Sequence, residues 1–555
     1  MAAARKAEIA SLFSIFDRDG DGSLTIDEIK AVYTRGPGGL NEAELEQTVK
    51  MFMEYDKDGD GVIDIDEFTE AFGDLALDEQ YASIFASSQL PSAADLGVDE
   101  KKLEIWRKKG GGDLEPFLAS GAVALLDTQW VVLYAETGGV LTHRQALPKE
   151  AFLSLADLVE ATVERVSSLP VAALSYPWLT KAHPDPDGAN LRRVAKALKA
   201  LLNPGIGGES GVTCLARLGV FWDFGSLYQH PDPANRVLRT EAENALFTQG
   251  LGCLGTLYSH ECTTVLRLTS FPEGHKMEDQ GEGTNTAAYF QRGWCFTESS
   301  WAGLTKGFQL SLDLGLMRDD EEYNFHSFVG QCTKGGQLRA KAIGRRPPLL
   351  PSHFAEELET KTFTNGKDDK PLVKKLYEAA FKEQFGKATL LGYDHLGWGD
   401  PELVQVAEVI ASGAAPRVER LFLSANQIGN EGCKALAAAL GKEGAAPRLE
   451  ELYIYSEDRA TVDLEGYKAL ADALKEGAAP SLKVRDALPS PYVPPLPAHA
   501  YRTSPRVQKL QAGNYLDCGS ENPYTGEPSS HPVLELTAVC KERGILLDVP
   551  ESNGY

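Results

Sequence analysis

Asp17-Arg18-Asp19-Gly20-Asp21-Gly22-Ser23-Leu24-Thr25-Ile26-Asp27-Glu28 returns further along the chain as Asp56-Lys57-Asp58-Gly59-Asp60-Gly61-Val62-Ile63-Asp64-Ile65-Asp66-Glu67. Each run places carboxylates at positions one, three and five, glycine at six and glutamate at twelve. Asp17, Asp19, Asp21, the Ser23 carbonyl and a bidentate Glu28 make one set of hard oxygen donors. Asp56, Asp58, Asp60, the Val62 carbonyl and Glu67 make a second. Gly22 and Gly61 stand where such a loop turns sharply and a side chain would clash. Leu24 and Ile63, at position eight of each run, are placed to join the two loops by a short antiparallel bridge. Ile9, Phe13 and Phe16 precede the first loop, and Ile29 and Tyr33 follow it. Leu45, Val49 and Phe52, then Phe68 and Phe72, do the same for the second. These spacings give each flanking helix one apolar face.

Calcium, a hard ion that takes about six to eight oxygen ligands, suits both sets. The tandem loops with their helices resemble the EF-hand pair, which implies an all-α module over residues 1–76 with Ca2+ as its ligand.

At 555 residues the chain is too long for one core, and about 150 residues per domain predicts three or four units. An apolar fraction of 43% is that of a globular protein. A net charge of −25 argues against nucleic acid as a partner, because no basic stripe is available to neutralise phosphates. The eight cysteines show no CxxC spacing and no dense framework, so reduced thiols and a cytoplasmic setting are expected. Met1-Ala2-Ala3-Ala4-Arg5-Lys6 leads into an amphipathic helix pattern, so neither a signal peptide nor N-myristoylation is expected. No apolar run approaches the roughly 18 residues of a membrane span.

Residues 77–120 read as a linker with one helix, broken at Gln89-Leu90-Pro91-Ser92 and Lys108-Lys109-Gly110-Gly111-Gly112. Leu125-Leu126 and Trp130-Val131-Val132-Leu133-Tyr134 read as strands, as does Val140-Leu141-Thr142, followed by a helix over 152–166. A unit over 121–387 then alternates apolar strands with amphipathic helices, the pattern of a parallel sheet covered on both faces. Its strands are Val171–Tyr176, Leu218–Phe224 and Cys262–Leu268, and a helix is expected around Trp294–Trp301. Open α/β sheets hold ligands at the carboxyl ends of their strands, so Ser175, Tyr176, Asp223 and Ser226 are candidates to line a pocket. Gly250-Leu251-Gly252-Cys253-Leu254-Gly255 fits GxGxxG, but it lies in a helical pattern, where helix packing accounts for its glycines.

Ala173-Leu174-Ser175-Tyr176-Pro177-Trp178 resembles the opening strand of the fungal heterokaryon-incompatibility (HET) domain. Phe221-Trp222-Asp223-Phe224-Gly225-Ser226-Leu227-Tyr228-Gln229 is similar to that family's second block, with Ser226 and Tyr228 in place of its cysteine and asparagine. Arg292-Gly293-Trp294-Cys295-Phe296-Thr297-Glu298 resembles its third. The HET domain is related to the flavodoxin-like TIR fold, so the resemblance implies a HET/TIR-like domain in which Glu298 is the candidate catalytic residue for NAD cleavage. Ser175, Tyr176, Trp178, Asp223 and Trp294 are the candidate ligand-binding residues, the two tryptophans as stacking surfaces.

Gly413-Ala414-Ala415-Pro416-Arg417-Val418-Glu419-Arg420-Leu421-Phe422-Leu423 is echoed from Gly444 and again from Gly477. With Asn426-Gln427-Ile428-Gly429 and the helix 433–440, this resembles a ribonuclease-inhibitor-type leucine-rich repeat, implying a short α/β array over 388–484 with a protein-docking face. Residues 485–555 hold a Pro-rich linker and a tail with one amphipathic helix, 534–544.

The expected whole is a multidomain calcium-binding signalling protein, in which the EF-hand pair modulates the HET/TIR-like domain or partner docking through a calcium-exposed apolar groove including Phe13, Met51, Met53 and Phe72. The rival readings are a calcium-gated NAD glycohydrolase acting through Glu298 and a self-associating scaffold with structural calcium sites.

Overall fold

The computed structural model describes residues 23–33, positions 46, 49–50, 52–53, 56–57, 60–64 and 67–68, and then 90–164, 166–203, 215–232, 235–276, 281, 284–334, 345–424, 426–454, 464–475 and 477–481. Asp17, Asp19, Asp21, Asp58, Phe13, Met51, Phe72 and everything expected of 485–555 lie outside them.

Two short strands, β1 (Ser23–Leu24) and β2 (Ile63–Asp64), pair antiparallel with Leu24 opposite Ile63 and Ser23 opposite Asp64. Alternation along each strand turns Leu24 and Ile63 inward, where they are buried with Ile29, Phe52 and Phe68. The Phe52 and Phe68 rings stack at 6.3 Å, so the helices flanking the second loop meet through the face their apolar spacing predicts.

A mixed six-stranded sheet forms the centre. Its strands are β3 (Leu125–Asp127), β4 (Phe152–Leu153), β5 (Val171–Ser175), β6 (Gly219–Phe221), β7 (Thr264–Arg267) and β8 (Ser311–Asp313), in the order β4-β3-β6-β5-β7-β8. The four from β6 to β8 are parallel, whereas β3 joins β6 antiparallel and β4 joins β3 antiparallel. The sheet is therefore not wholly parallel as the alternating pattern implied. On one face lie the helices Glu100–Lys108, Leu155–Ala161, Leu254–Ser259, Gly293–Trp301 and Gly366–Lys387, and on the other Thr128–Glu136, Ala189–Leu201 and Phe325–Lys334. Chain order reverses between β5 and β7: from β5 the chain moves to β6 on one side and then back to β7 on the other.

Local chemistry explains where the sequence expectations miss. Trp130–Tyr134 is helical, not extended, because Asp127 caps the helix Thr128–Glu136 by accepting from the Gln129 amide at 2.7 Å. The Trp130 and Tyr134 rings then stack one turn apart at 4.6 Å, and Leu133 is left 62% exposed. Val140–Thr142 forms no strand, and the helix expected over 152–166 is instead β4 followed by the helix Leu155–Ala161, which Ser154 caps. Residues 93–119 are not a spacer. They fold into the helices Ala93–Leu96, Glu100–Lys108 and Glu115–Ala119, with Trp106 fully buried and its indole N–H donated to Glu115 at 2.9 Å. Gly110 adopts φ 78°, and a Cβ on Gly111 would lie 2.2 Å from the Trp106 ring, so this glycine run is a tight turn beneath a tryptophan. Gly250, from the GxGxxG run, sits in the helix Glu241–Gly252, and a Cβ there would meet Leu227 at 2.6 Å.

Toward the C-terminus, β9 (Leu390–Gly392), β10 (Arg420–Phe422) and β11 (Glu451–Tyr453) form a parallel three-stranded sheet. Each strand is followed by a helix: Asp400–Ala411, Asn430–Leu440 and Leu464–Lys475. These units share one core with the central sheet, through Tyr258, Phe296, Tyr377, Trp398, Leu421 and Leu436. The Trp398 indole donates to the Arg345 carbonyl at 2.8 Å, and Lys387 pairs with Asp113 at 2.9 Å. Asn426 is buried and stitches neighbouring units, its Oδ1 accepting from the Leu396 and Trp398 amides and its Nδ2 donating to the Tyr393 and Leu423 carbonyls. Asn426→Ala leaves four buried backbone groups unpaired, so a loss of roughly 3–4 kcal/mol is expected. The check is a urea titration followed by circular dichroism; an unchanged midpoint would show that water replaces the amide.

Candidate functional site

Two groups of sequence-predicted residues occupy separate places. In the second loop the Gly61 amide donates to Asp56 Oδ2 at 3.0 Å, and Gly61 takes φ 86°, the left-handed turn that a glycine at position six permits. Glu67 reaches back across the loop: Oε1 accepts from the Lys57 amide at 2.7 Å and Oε2 from the Asp64 amide at 3.0 Å. Asp60 accepts from the Val62 amide at 3.0 Å. In the first loop Glu28 Oε2 accepts from the Thr25 amide and hydroxyl at 2.9 and 2.8 Å. Ser23 and Asp64 face each other across the β1–β2 bridge. Among the described residues no group of three or more acidic, histidine or cysteine side chains converges as a metal set. The oxygen donors that are described, with glycine in its turn, suit a hard cation such as calcium.

The second group lies at the carboxyl ends of the parallel strands. Ser175 ends β5, and its hydroxyl donates to Glu298 Oε2 at 2.6 Å while sharing a 2.6 Å bond with the Tyr289 hydroxyl. With its proton given to Glu298, Ser175 accepts from Tyr289, so the three form a relay. Glu298 sits on the helix Gly293–Trp301, packed against the end of β5. Burial pushes its carboxyl well above the usual glutamate range; the Ser175 bond opposes this and nearby Asp223 adds to it.

Asp223 follows β6. Burial also raises its carboxyl, although it accepts from Tyr176 at 2.6 Å, from the Trp178 indole at 3.0 Å and from the Phe224 amide at 2.6 Å. Tyr176 is raised well above the ordinary phenol, first by burial and then by Asp223. Two carboxyls held toward their neutral forms thus stand among tyrosines and a tryptophan.

Of the seven central residues singled out from sequence, five, Ser175, Tyr176, Trp178, Asp223 and Glu298, fall in these two networks. Trp294 does not: its indole donates to Asp369 at 3.0 Å, because the neighbouring helix Gly366–Lys387 offers that acceptor. Ser226 is buried, and its hydroxyl accepts from the Trp222 amide at 2.9 Å, fixing the turn that carries Asp223. Gln229 supports the same turn by donating to the Asp223 and Leu227 carbonyls, each at 3.2 Å. Arg292 ties the Trp178 loop down, donating to the Trp178 and Ala287 carbonyls at 2.6 and 2.7 Å. Tyr289 and Arg267 escape a motif reading. Only the register and a single turn of helix bring them to the strand ends.

A separate cavity, lined by Ser167, Cys262, Phe308, Asp394, Arg420 and Phe422, opens at the amino ends of β5, β7 and β8 where the repeat strands meet the sheet. No helix among the described residues is long and apolar enough to cross a membrane. A family model described as an EF-hand domain pair matches residues 6–73. No curated protein and no solved structure matches the chain.

Proposed function

We propose that the chain is a calcium-binding regulatory protein whose EF-hand pair senses Ca2+ and transmits the change to the body formed by the central sheet and the repeats. The observation that carries this is the β1–β2 bridge, which joins the two twelve-residue loops at position eight and makes them one mechanical unit. Ca2+ would be held by Asp17, Asp19, Asp21, Ser23 and Glu28 in one loop and by Asp56, Asp58, Asp60, Val62 and Glu67 in the other, supplying a charge that draws each glutamate toward its loop. A sensor pair opens and presents an apolar face, here including Met53, to a helix of this chain or of a partner. The repeat units, read as leucine-rich repeats, offer the docking strands.

The test is calorimetric titration of Ca2+ into the chelator-stripped full-length protein, read beside an apolar dye. Two binding events with a rise in dye fluorescence are expected. Two events with no dye response would reduce the pair to a buffer or a structural site.

A second reading is favoured by the relay Tyr289–Ser175–Glu298 at the strand ends. The parallel core runs in the order second, first, third, fourth strand, the doubly wound arrangement that opens a ligand crevice where chain order reverses. In that reading the sheet is HET/TIR-like and cleaves NAD through Glu298, under the control of the calcium loops.

A further inference from the structure

We propose that Arg267 is an anion-binding group of the central crevice, holding a phosphoryl oxyanion, free or carried on a nucleotide, beside Ser175 at the switch point between β5 and β7. The inference rests on reading that crevice as a ligand site and adds the chemical class of what enters it.

Arg267 is the last residue of β7 and only 2% exposed. Its Nε and Nη1 are fully buried with no acceptor among the described residues. Other buried cations of this protein are spent on its own oxygens. Lys306 donates to Thr263 and to the His260 carbonyl, Arg345 to the Gly303 and Lys306 carbonyls, and Arg292 to those of Ala287 and Trp178. A buried guanidinium without such partners is costly to the fold, so a ligand that completes it is the economical explanation.

Its position points the same way. Ser175, Arg267 and Asp313 lie in one row across β5, β7 and β8, in register. Alternation puts all three on the sheet face that carries the Gly293–Trp301 helix, since Leu174, Leu266 and Leu312 point into the opposite core. Ser175, the register partner of Arg267, shares its hydroxyl bond with Tyr289, and the Arg267 charge is felt at that phenol as it is at Cys332 and Arg345. Asp313, the carboxylate beside it in register, gives Oδ1 to the Thr269 hydroxyl at 2.5 Å and the Gly315 amide at 2.9 Å, and forms no ion pair with Arg267 among the described residues. Glu298 and Asp223 would repel an anion when ionised, but burial favours their neutral forms. A planar guanidinium offers paired N–H groups that match a phosphoryl group.

The experiment is calorimetric titration of the full-length protein with inorganic phosphate, pyrophosphate and ADP-ribose, in the wild type and in Arg267→Met and Arg267→Lys. The wild type is expected to bind at least one of them. Arg267→Met should weaken that binding roughly ten- to hundredfold, and Arg267→Lys should lie between. Methionine fills similar volume and removes an unpaired buried charge, so Arg267→Met should melt no lower than the wild type. ADP-ribose bound tenfold more tightly than pyrophosphate assigns a nucleotide, and comparable affinities assign the free anion. Undiminished binding in Arg267→Met, or no binding of any of the three by the wild type, overturns the proposal. Anion binding that depends on Arg267 in a protein that does not turn over NAD would leave this inference standing and remove the Glu298 chemistry alone.

Discussion

Glu67→Gln is expected to weaken calcium binding at the second loop on the order of 100-fold, because ligand charge and count set affinity in such loops. Position twelve contributes two oxygens and a full negative charge. Glu67 already spans the loop, with one oxygen at the Lys57 amide and the other at the Asp64 amide. Glutamine keeps the length, but it is neutral and turns an N–H2 group toward one of those amides. The affinity loss should therefore exceed any loss of stability. The β1–β2 bridge adds a second consequence. Leu24 and Ile63 share one buried contact, so energy withheld from the second loop is felt at the first, and the remaining site should also bind more weakly than in the wild type. Calorimetry on the full-length variant reads both effects. Unchanged affinity at both sites would mean that Glu67 is a backbone clamp and not a ligand.

How much of this was legible in sequence depended on whether a residue's role was set by its neighbours in the chain or by the fold. Leu24 and Ile63 could be paired in advance because loop spacing alone fixes position eight. Ser175 and Glu298 lie 123 positions apart yet share a bond, and only the resemblance of their blocks put them in one site. Trp294 came with the same block and went elsewhere, since nothing local reveals that Asp369 would take its indole N–H. The run Trp130–Tyr134 is apolar throughout and carries no period, so the Asp127 cap decided between strand and helix. Residues 93–119 looked like a linker because Gly110 and Gly111 interrupt them. What those glycines allow is close passage beneath Trp106, a tertiary contact invisible to local pattern. Arg267 was hidden differently, being one charge in an apolar strand whose register with Ser175 is a property of the sheet.

On the reading that the central sheet cleaves NAD, Glu298→Gln is expected to lower that turnover by about 10²- to 10⁴-fold, the range for losing a positioned carboxyl from a reacting centre. The carboxylate is the form able to stabilise positive charge as nicotinamide leaves. Burial favours the protonated form, so the wild-type rate should rise with pH through a value above the usual glutamate range and fall away below it. The variant should lack that acid limb. Stability moves in the opposite sense. A carboxyl whose folded pKa is raised contributes stability that is fully present below its unfolded value of about 4.3 and is lost as pH rises through the folded value. Glutamine never ionises, so the variant should gain in melting temperature relative to the wild type as the buffer is made alkaline, while remaining inactive. A purely structural Glu298 would reproduce the stability trend but not the loss of turnover. Equal turnover in variant and wild type would therefore retire this carboxyl from catalysis while leaving its buried bond to Ser175 as a feature of the fold.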